Sequence, residues 1–167
     1  MKVLEFGCGT GSTALVHASE VAQITGIDYS PKMIAIAKSK SSAVENVRFE
    51  TSTLEDWNSD EGPYDMILGL NVLHLLPDHR QAIEVAHRLL KPRGYLVTST
   101  ACLGEMGGVI KRILPIGSAL RLLPYVAHFT QSELEADFSN AGFSVLQSWK
   151  PGPEQGVFHI HQKSDQA

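Results

Sequence analysis

The sequence predicts an α/β fold built on a parallel sheet with right-handed crossovers. Three observations predict it. Apolar runs of strand length alternate with amphipathic stretches of helical spacing through the first three fifths of the chain, the β-α-β signature of a parallel sheet. The run VLEFGCGTG, residues 3–11, joins a buried strand to a turn with glycine at positions 7, 9 and 11. The run YDMILGL, residues 64–70, is almost continuously apolar, as a central parallel strand buried on both faces should be.

The elements follow in order. Val3, Leu4 and Phe6 make the first strand. Residues 12–21 can form a helix with Ala14, Leu15 and Ala18 inward. Residues 24–27 are a short apolar strand closed by Asp28. Ser30 then Pro31 is an N-cap followed by proline at the first helical position, and Met33, Ile34 and Ala37 form that helix's inner face. Residues 47–51 read as a third strand and residues 64–70 as a fourth. Residues 77–90 carry Ala82, Ile83, Ala86, Leu89 and Leu90 at helical spacing, stopping at Lys91-Pro92-Arg93-Gly94. Residues 95–100 are a fifth strand. Thr130 and Glu133 make a capping box, Phe129 and Leu134 a hydrophobic staple, and Gly142 ends that helix. Residues 143–149 and 157–162, with a Pro-Gly-Pro turn between them, read as a terminal antiparallel hairpin.

The 167 residues are the length of one domain. A net charge of −4 gives no bulk attraction to nucleic acid. Two cysteines, Cys8 and Cys102, make no disulfide framework, and a reducing, cytoplasmic setting is the expectation. Cys8 reads as a small turn residue rather than a reactive thiol. No charged stretch followed by an apolar run suggests a signal peptide, and no apolar stretch is long enough to span a bilayer.

The glycine turn carries the chemistry. Glycine allows positive φ and close approach of backbone to a ligand. A strand running through such a turn into a helix leaves free N–H groups at the mouth of a sheet, which suits a nucleotide-like cofactor. Glu5 is a carboxylate in an apolar strand and needs a partner there. Dinucleotide binders use G-x-G-x-x-G. Here the third glycine arrives one residue early, at Gly11, with Ser12 in the expected place. Asp28, at the end of the next strand, can accept both hydroxyls of a ribose.

With VLEFGCGTG, TGIDYSPKMI (25–34), YDMILGLNVLHLLPD (64–78) and LLKPRGYLV (89–97), the chain resembles the class I S-adenosylmethionine-dependent methyltransferases, nearest their small-molecule branch. The resemblance runs from Val3 to about Lys163. It implies a doubly wound, Rossmann-like, seven-stranded and mostly parallel sheet with an antiparallel terminal strand. It also implies S-adenosylmethionine as cofactor and a small organic methyl acceptor. By the same resemblance Gly7, Cys8, Gly9 and Gly11 wrap the methionine part of the cofactor. Glu5 stands near its ammonium, Asp28 binds the ribose, Tyr29 and Met33 lie near the adenine, and Asn71 lines the site beside the methionine and methyl group. Where the family often has an acid bonding the adenine amino group, this chain has Thr53. Thr53 or the Leu54 backbone substitutes, with Glu55 close by. The family usually carries one or two helices before the first strand, whereas this sequence begins at the strand. A truncated chain and a short form covered by another segment or subunit both fit.

Methyl transfer needs positioning first and a base only when the acceptor loses a proton. His74 is the candidate base, set against a histidine packing in a turn. His128 and Tyr125 are further candidates on the acceptor side. His159 and His161 share one face of a strand, but no further ligands accompany them, so no metal is expected. Residues 103–129 read as an insertion within a single domain spanning 1–167. Within it, residues 110–129 carry Lys111, Arg112 and Arg121 and no acid. This stretch can be a lid over an apolar acceptor, core-completing helices, a dimer contact or, behind these, a membrane-surface helix. Two other functions compete with the methyltransferase. One is a nicotinamide-dependent dehydrogenase, disfavoured by the glycine spacing, Glu5 and the hairpin. The other is a non-catalytic or partner-dependent S-adenosylmethionine-binding domain.

Overall fold

The computed structural model describes residues 1–58, 63–102, 126–152 and 156–164. Most of the expected insertion, residues 103–125 with Tyr125, Lys111, Arg112 and Arg121, lies outside the described residues.

Among the described residues seven strands form one sheet in the order β3-β2-β1-β4-β5-β7-β6. They are β1 (Lys2–Phe6), β2 (Gln23–Asp28), β3 (Val47–Thr51), β4 (Tyr64–Leu70), β5 (Leu90–Thr100), β6 (Phe143–Trp149) and β7 (Val157–Lys163). The first five pair in parallel. β7 is antiparallel to both β5 and β6, the terminal hairpin expected from the Pro-Gly-Pro turn. The chain winds outward from β1 to β3, then returns to place β4 on the other side of β1. The crevice at such a reversal is where open α/β sheets hold ligands.

Helices cover both faces. α1 (Ser12–His17) and α2 (Pro31–Lys40) enclose a core of Val3, Cys8, Ala14, Ile34, Ala37, Phe49 and Leu68. α3 (His79–Leu89) and α4 (Gln131–Asn140) enclose a larger one with Tyr64, Ile67, Leu73, Ile83, Leu96, Leu134 and Phe138. Each large side chain fully withdrawn from water here contributes about 2 kcal/mol. The caps are as expected. Ser30 Oγ accepts Met33 N–H at 3.5 Å, Asp78 accepts Gln81 N–H at 3.0 Å, and Thr130 with Glu133 forms the reciprocal capping box.

Three elements differ from the sequence reading. The first helix stops at His17 and tightens into a 3-10 turn, Ala18–Glu20. Met33 is exposed, and only Ile34 and Ala37 face inward on α2. β5 begins at Leu90, not Tyr95. Leu90 pairs with Tyr64 and Tyr95 with Met66, so Lys91-Pro92-Arg93-Gly94 is accommodated as an irregularity between them. Arg93 has φ of 61° there, and Pro92, lacking an N–H, suits a bulge.

Candidate functional site

The three glycines of the turn all have left-handed backbones, φ 67° at Gly7, 54° at Gly9 and 74° at Gly11. The outer two are packed shut. A Cβ on Gly11 would stand 2.4 Å from the Phe49 ring, and one on Gly7 would stand 2.6 Å from Val72 Cγ2. Gly9 differs: a Cβ there would meet nothing within 4 Å. The turn is therefore pinned at both ends and open in the middle, a cradle of backbone with room beside it.

Asp28 ties this cradle to the second crossover. Its Oδ2 accepts Gly9 N–H at 2.9 Å and its Oδ1 accepts Ser30 N–H at 2.9 Å. It is buried, and each oxygen retains a lone pair for a hydroxyl donor. Ser52 N–H donates to Asp28 O at 3.1 Å, bringing residues 52–54 to the same sheet end.

Glu5 is 3% exposed. Burial pushes its carboxyl up to about 7, against bonds from the Thr13 hydroxyl and the Ala14 N–H. Its Oε2 is buried with no partner. An unpaired carboxylate oxygen in this position is costly and fits a cationic group. Cys8 is buried, and its thiol is pushed up to about 12 by burial and by the charges of Glu5 and Asp28. It stays a thiol and serves as turn packing.

Asn71 closes β4 with φ of 56°, next to the Val72 that packs on Gly7. Its N–H donates to Ser99 O at 2.7 Å. Beyond it, His74 stands in the 3-10 turn Leu73–Leu75. Its carbonyl accepts Ala127 N–H at 2.7 Å. Burial lowers its pKa, and its Nδ1 is buried without a partner.

The structure thus brings Glu5, Gly7, Cys8, Gly9, Gly11, Asp28 and Asn71 to one end of the sheet. Tyr29 and Met33 follow on the exposed surface, 79% and 41% accessible. The Thr53 hydroxyl donates to Asp56 at 2.9 Å and accepts Asp56 N–H at 3.2 Å, which leaves it one acceptor lone pair. The Leu54 side chain is in the core, leaving its main chain for any contact. His128 is exposed. His159 and His161 lie elsewhere, under α4, with ring centroids 5.2 Å apart. Among the described residues no group of three or more His, Cys, Asp or Glu side chains could hold a metal ion. Sequence reasoning missed Ser99, Ser30 and Thr13 as partners of Asn71, Asp28 and Glu5. The run Thr98-Ser99-Thr100, three hydroxyls ending an apolar strand, was the available signal for the first.

Fold and site together define a doubly wound α/β domain with a nucleotide-type cofactor cradle at the carboxyl ends of its strands. Residues 1–153 match the family described as Methyltransferase domain. An O-methyltransferase of ubiquinone biosynthesis from Alkalilimnicola ehrlichii is 34% identical over 156 residues, 89% of this chain and 62% of that protein. The crystal structure of the YcgJ protein from Bacillus subtilis superposes with a TM-score of 0.81 at 21% identity, covering 99% of this chain and 92% of the other. A methyltransferase dependent on S-adenosylmethionine from Methanosarcina mazei gives 0.81 at 19% identity, covering 99% and 93%. The two structural likenesses speak for the fold alone. The chain belongs to the methyltransferase domain family, and it spans less than two thirds of the ubiquinone-pathway relative's length.

Proposed function

We propose that this chain transfers a methyl group from S-adenosylmethionine to a small organic acceptor, as a single domain over residues 1–167 that includes the insertion at 103–129. The observation that carries the reading is the open Gly9 cradle joined to the buried Asp28 carboxylate, in a chain of this family. The ubiquinone-pathway relative's name supports a small-molecule acceptor. Among the described residues no helix is long and apolar enough to cross a membrane, and the cytoplasm is the compartment that suits two cysteines without a disulfide.

The residues present fit the cofactor. When bound, it supplies a methyl group on a sulfonium, whose departure as a neutral thioether needs no acid. Asp28 receives the ribose hydroxyls on the lone pairs that Gly9 and Ser30 leave free. Glu5 would release its proton to solvent and offer its unpaired oxygen to the ammonium, directly or through water. Tyr29 and Met33 would flank the adenine, and the Thr53 hydroxyl, which keeps an acceptor lone pair, or the Leu54 main chain would meet its edge. His74, kept neutral by burial, is in the state a general base requires and takes the acceptor's proton where the nucleophile carries one. Alignment of nucleophile, methyl and sulfur supplies the rest.

Titration calorimetry with S-adenosylmethionine and, separately, NAD tests the reading, followed by transfer of labelled methyl to a metabolite panel. Binding of the first alone, with label appearing in a small molecule, is expected. Binding of NAD alone would overturn it.

A further inference from the structure

Ser99, in the buried end of β5, is 3% exposed and meets Asn71 twice. Its carbonyl takes the Asn71 N–H at 2.7 Å, and its hydroxyl donates to Asn71 Oδ1 at 3.2 Å. With the amide reversed, the Ser99 hydroxyl would accept from the NH2 and its own proton would lose this buried acceptor, which is the costly arrangement. The Asn71 carbonyl oxygen is thus turned to Ser99, and the opposite end of this exposed side chain is its NH2, a donor and not an acceptor. The backbone holds it in place. Asparagine is among the few residues that tolerate a left-handed φ, here 56°. Val72, the next residue, packs against Gly7 of the cradle.

We propose that Ser99 is a positioning residue that turns the Asn71 amide into a hydrogen-bond donor for the carboxylate of the cofactor's methionine tail. The inference rests on the reading of this site as an S-adenosylmethionine cradle. Neither Glu5 nor Asp28 can hold that group, since each is itself a carboxylate, so a neutral donor beside the turn completes the charge pattern. The ammonium faces Glu5, the ribose faces Asp28, and the carboxylate faces the Asn71 NH2.

The test compares two ligands by titration calorimetry: S-adenosylhomocysteine, which has the amino-acid tail, and 5′-methylthioadenosine, which lacks it. Asn71→Gly keeps the left-handed turn and removes the amide, while Ser99→Ala frees the amide and Ser99→Thr restores a hydroxyl. Thermal melts check that each variant folds. Asn71→Gly and Ser99→Ala are each expected to weaken S-adenosylhomocysteine by about tenfold, the value of one hydrogen bond to a charged group, and to leave 5′-methylthioadenosine unchanged. Ser99→Thr should bind as wild type, and the double variant should be no weaker than Asn71→Gly alone. Equal losses for both ligands, no loss for either, or additive losses in the double variant would overturn the assignment while leaving the cofactor reading intact. Wild type that binds neither ligand would overturn both.

Discussion

Asp28 fastens Gly9: the carboxylate ending β2 accepts the N–H at the middle of the glycine turn at 2.9 Å, across 19 residues of chain. One side chain thus shapes the backbone cradle and, in the proposed function, grips the ribose. Replacing it should hurt any ligand that carries the sugar. Asp28→Asn is expected to weaken S-adenosylhomocysteine and 5′-methylthioadenosine alike, by about 2 kcal/mol each in calorimetry. A loss confined to the ligand with the amino-acid tail would contradict its role.

Gly9 and Gly11 separate conformation from crowding. Both have positive φ, but only Gly11 faces a ring, with Phe49 Cζ 2.4 Å from where a Cβ would be. Gly9→Ala should cost about 1 kcal/mol of stability, the strain of a left-handed alanine. Gly11→Ala adds overpacking and should cost about 3 kcal/mol. Urea unfolding measures both. Cofactor affinity should nonetheless fall further in Gly9→Ala, because its new methyl fills the open cradle.

Glu5 makes stability and affinity respond to pH in opposite senses. Its folded pKa, about 7, lies above the ordinary carboxylate value, so its contribution to stability is fully present below that ordinary value. The contribution is lost as pH rises through about 7. Glu5→Gln should gain on wild type by about 3 kcal/mol between about pH 5 and about pH 8 in denaturant melts. Over the same range wild type should bind the cationic S-adenosylmethionine progressively more tightly, and Glu5→Gln should bind it with little pH dependence.

His161 works the other way and away from the site. It is 0% exposed, packed against Phe138 with ring centroids 3.8 Å apart, and both ring nitrogens lack partners. Burial, then the neighbouring His159, pushes it down to about 3. The stability it carries is present above the ordinary histidine value and is lost as pH falls from there toward about 3. Wild type should lose about 3 kcal/mol by about pH 4 from this group alone. His161→Phe should flatten that decline. An unchanged acid limb in the variant would exclude His161 as its source.

Much of the cradle was legible because its parts are local. A glycine at each bend of a strand-turn-helix junction and an acid ending the next strand are patterns along the chain. What stayed hidden is mutual. Thr53 has the right position for an adenine contact, but Asp56, three residues on, takes its proton and leaves the hydroxyl to act there only as an acceptor. The Ser99–Asn71 pair joins residues 28 apart. Met33 has helical spacing with Ile34 and Ala37, yet the narrow buried stripe of α2 leaves it outside.

The placement of β7 decides the order in which this sheet can be completed. β6 leaves the ribosome first but, among the described residues, reaches the sheet only by hydrogen bonding to β7. It must wait for a strand synthesised after it. Removing the chain from Val157 onward would therefore strand β6 as well. A nascent protein cannot close that flank until β7 has emerged, so β6 joins the sheet only after a strand that follows it in the chain.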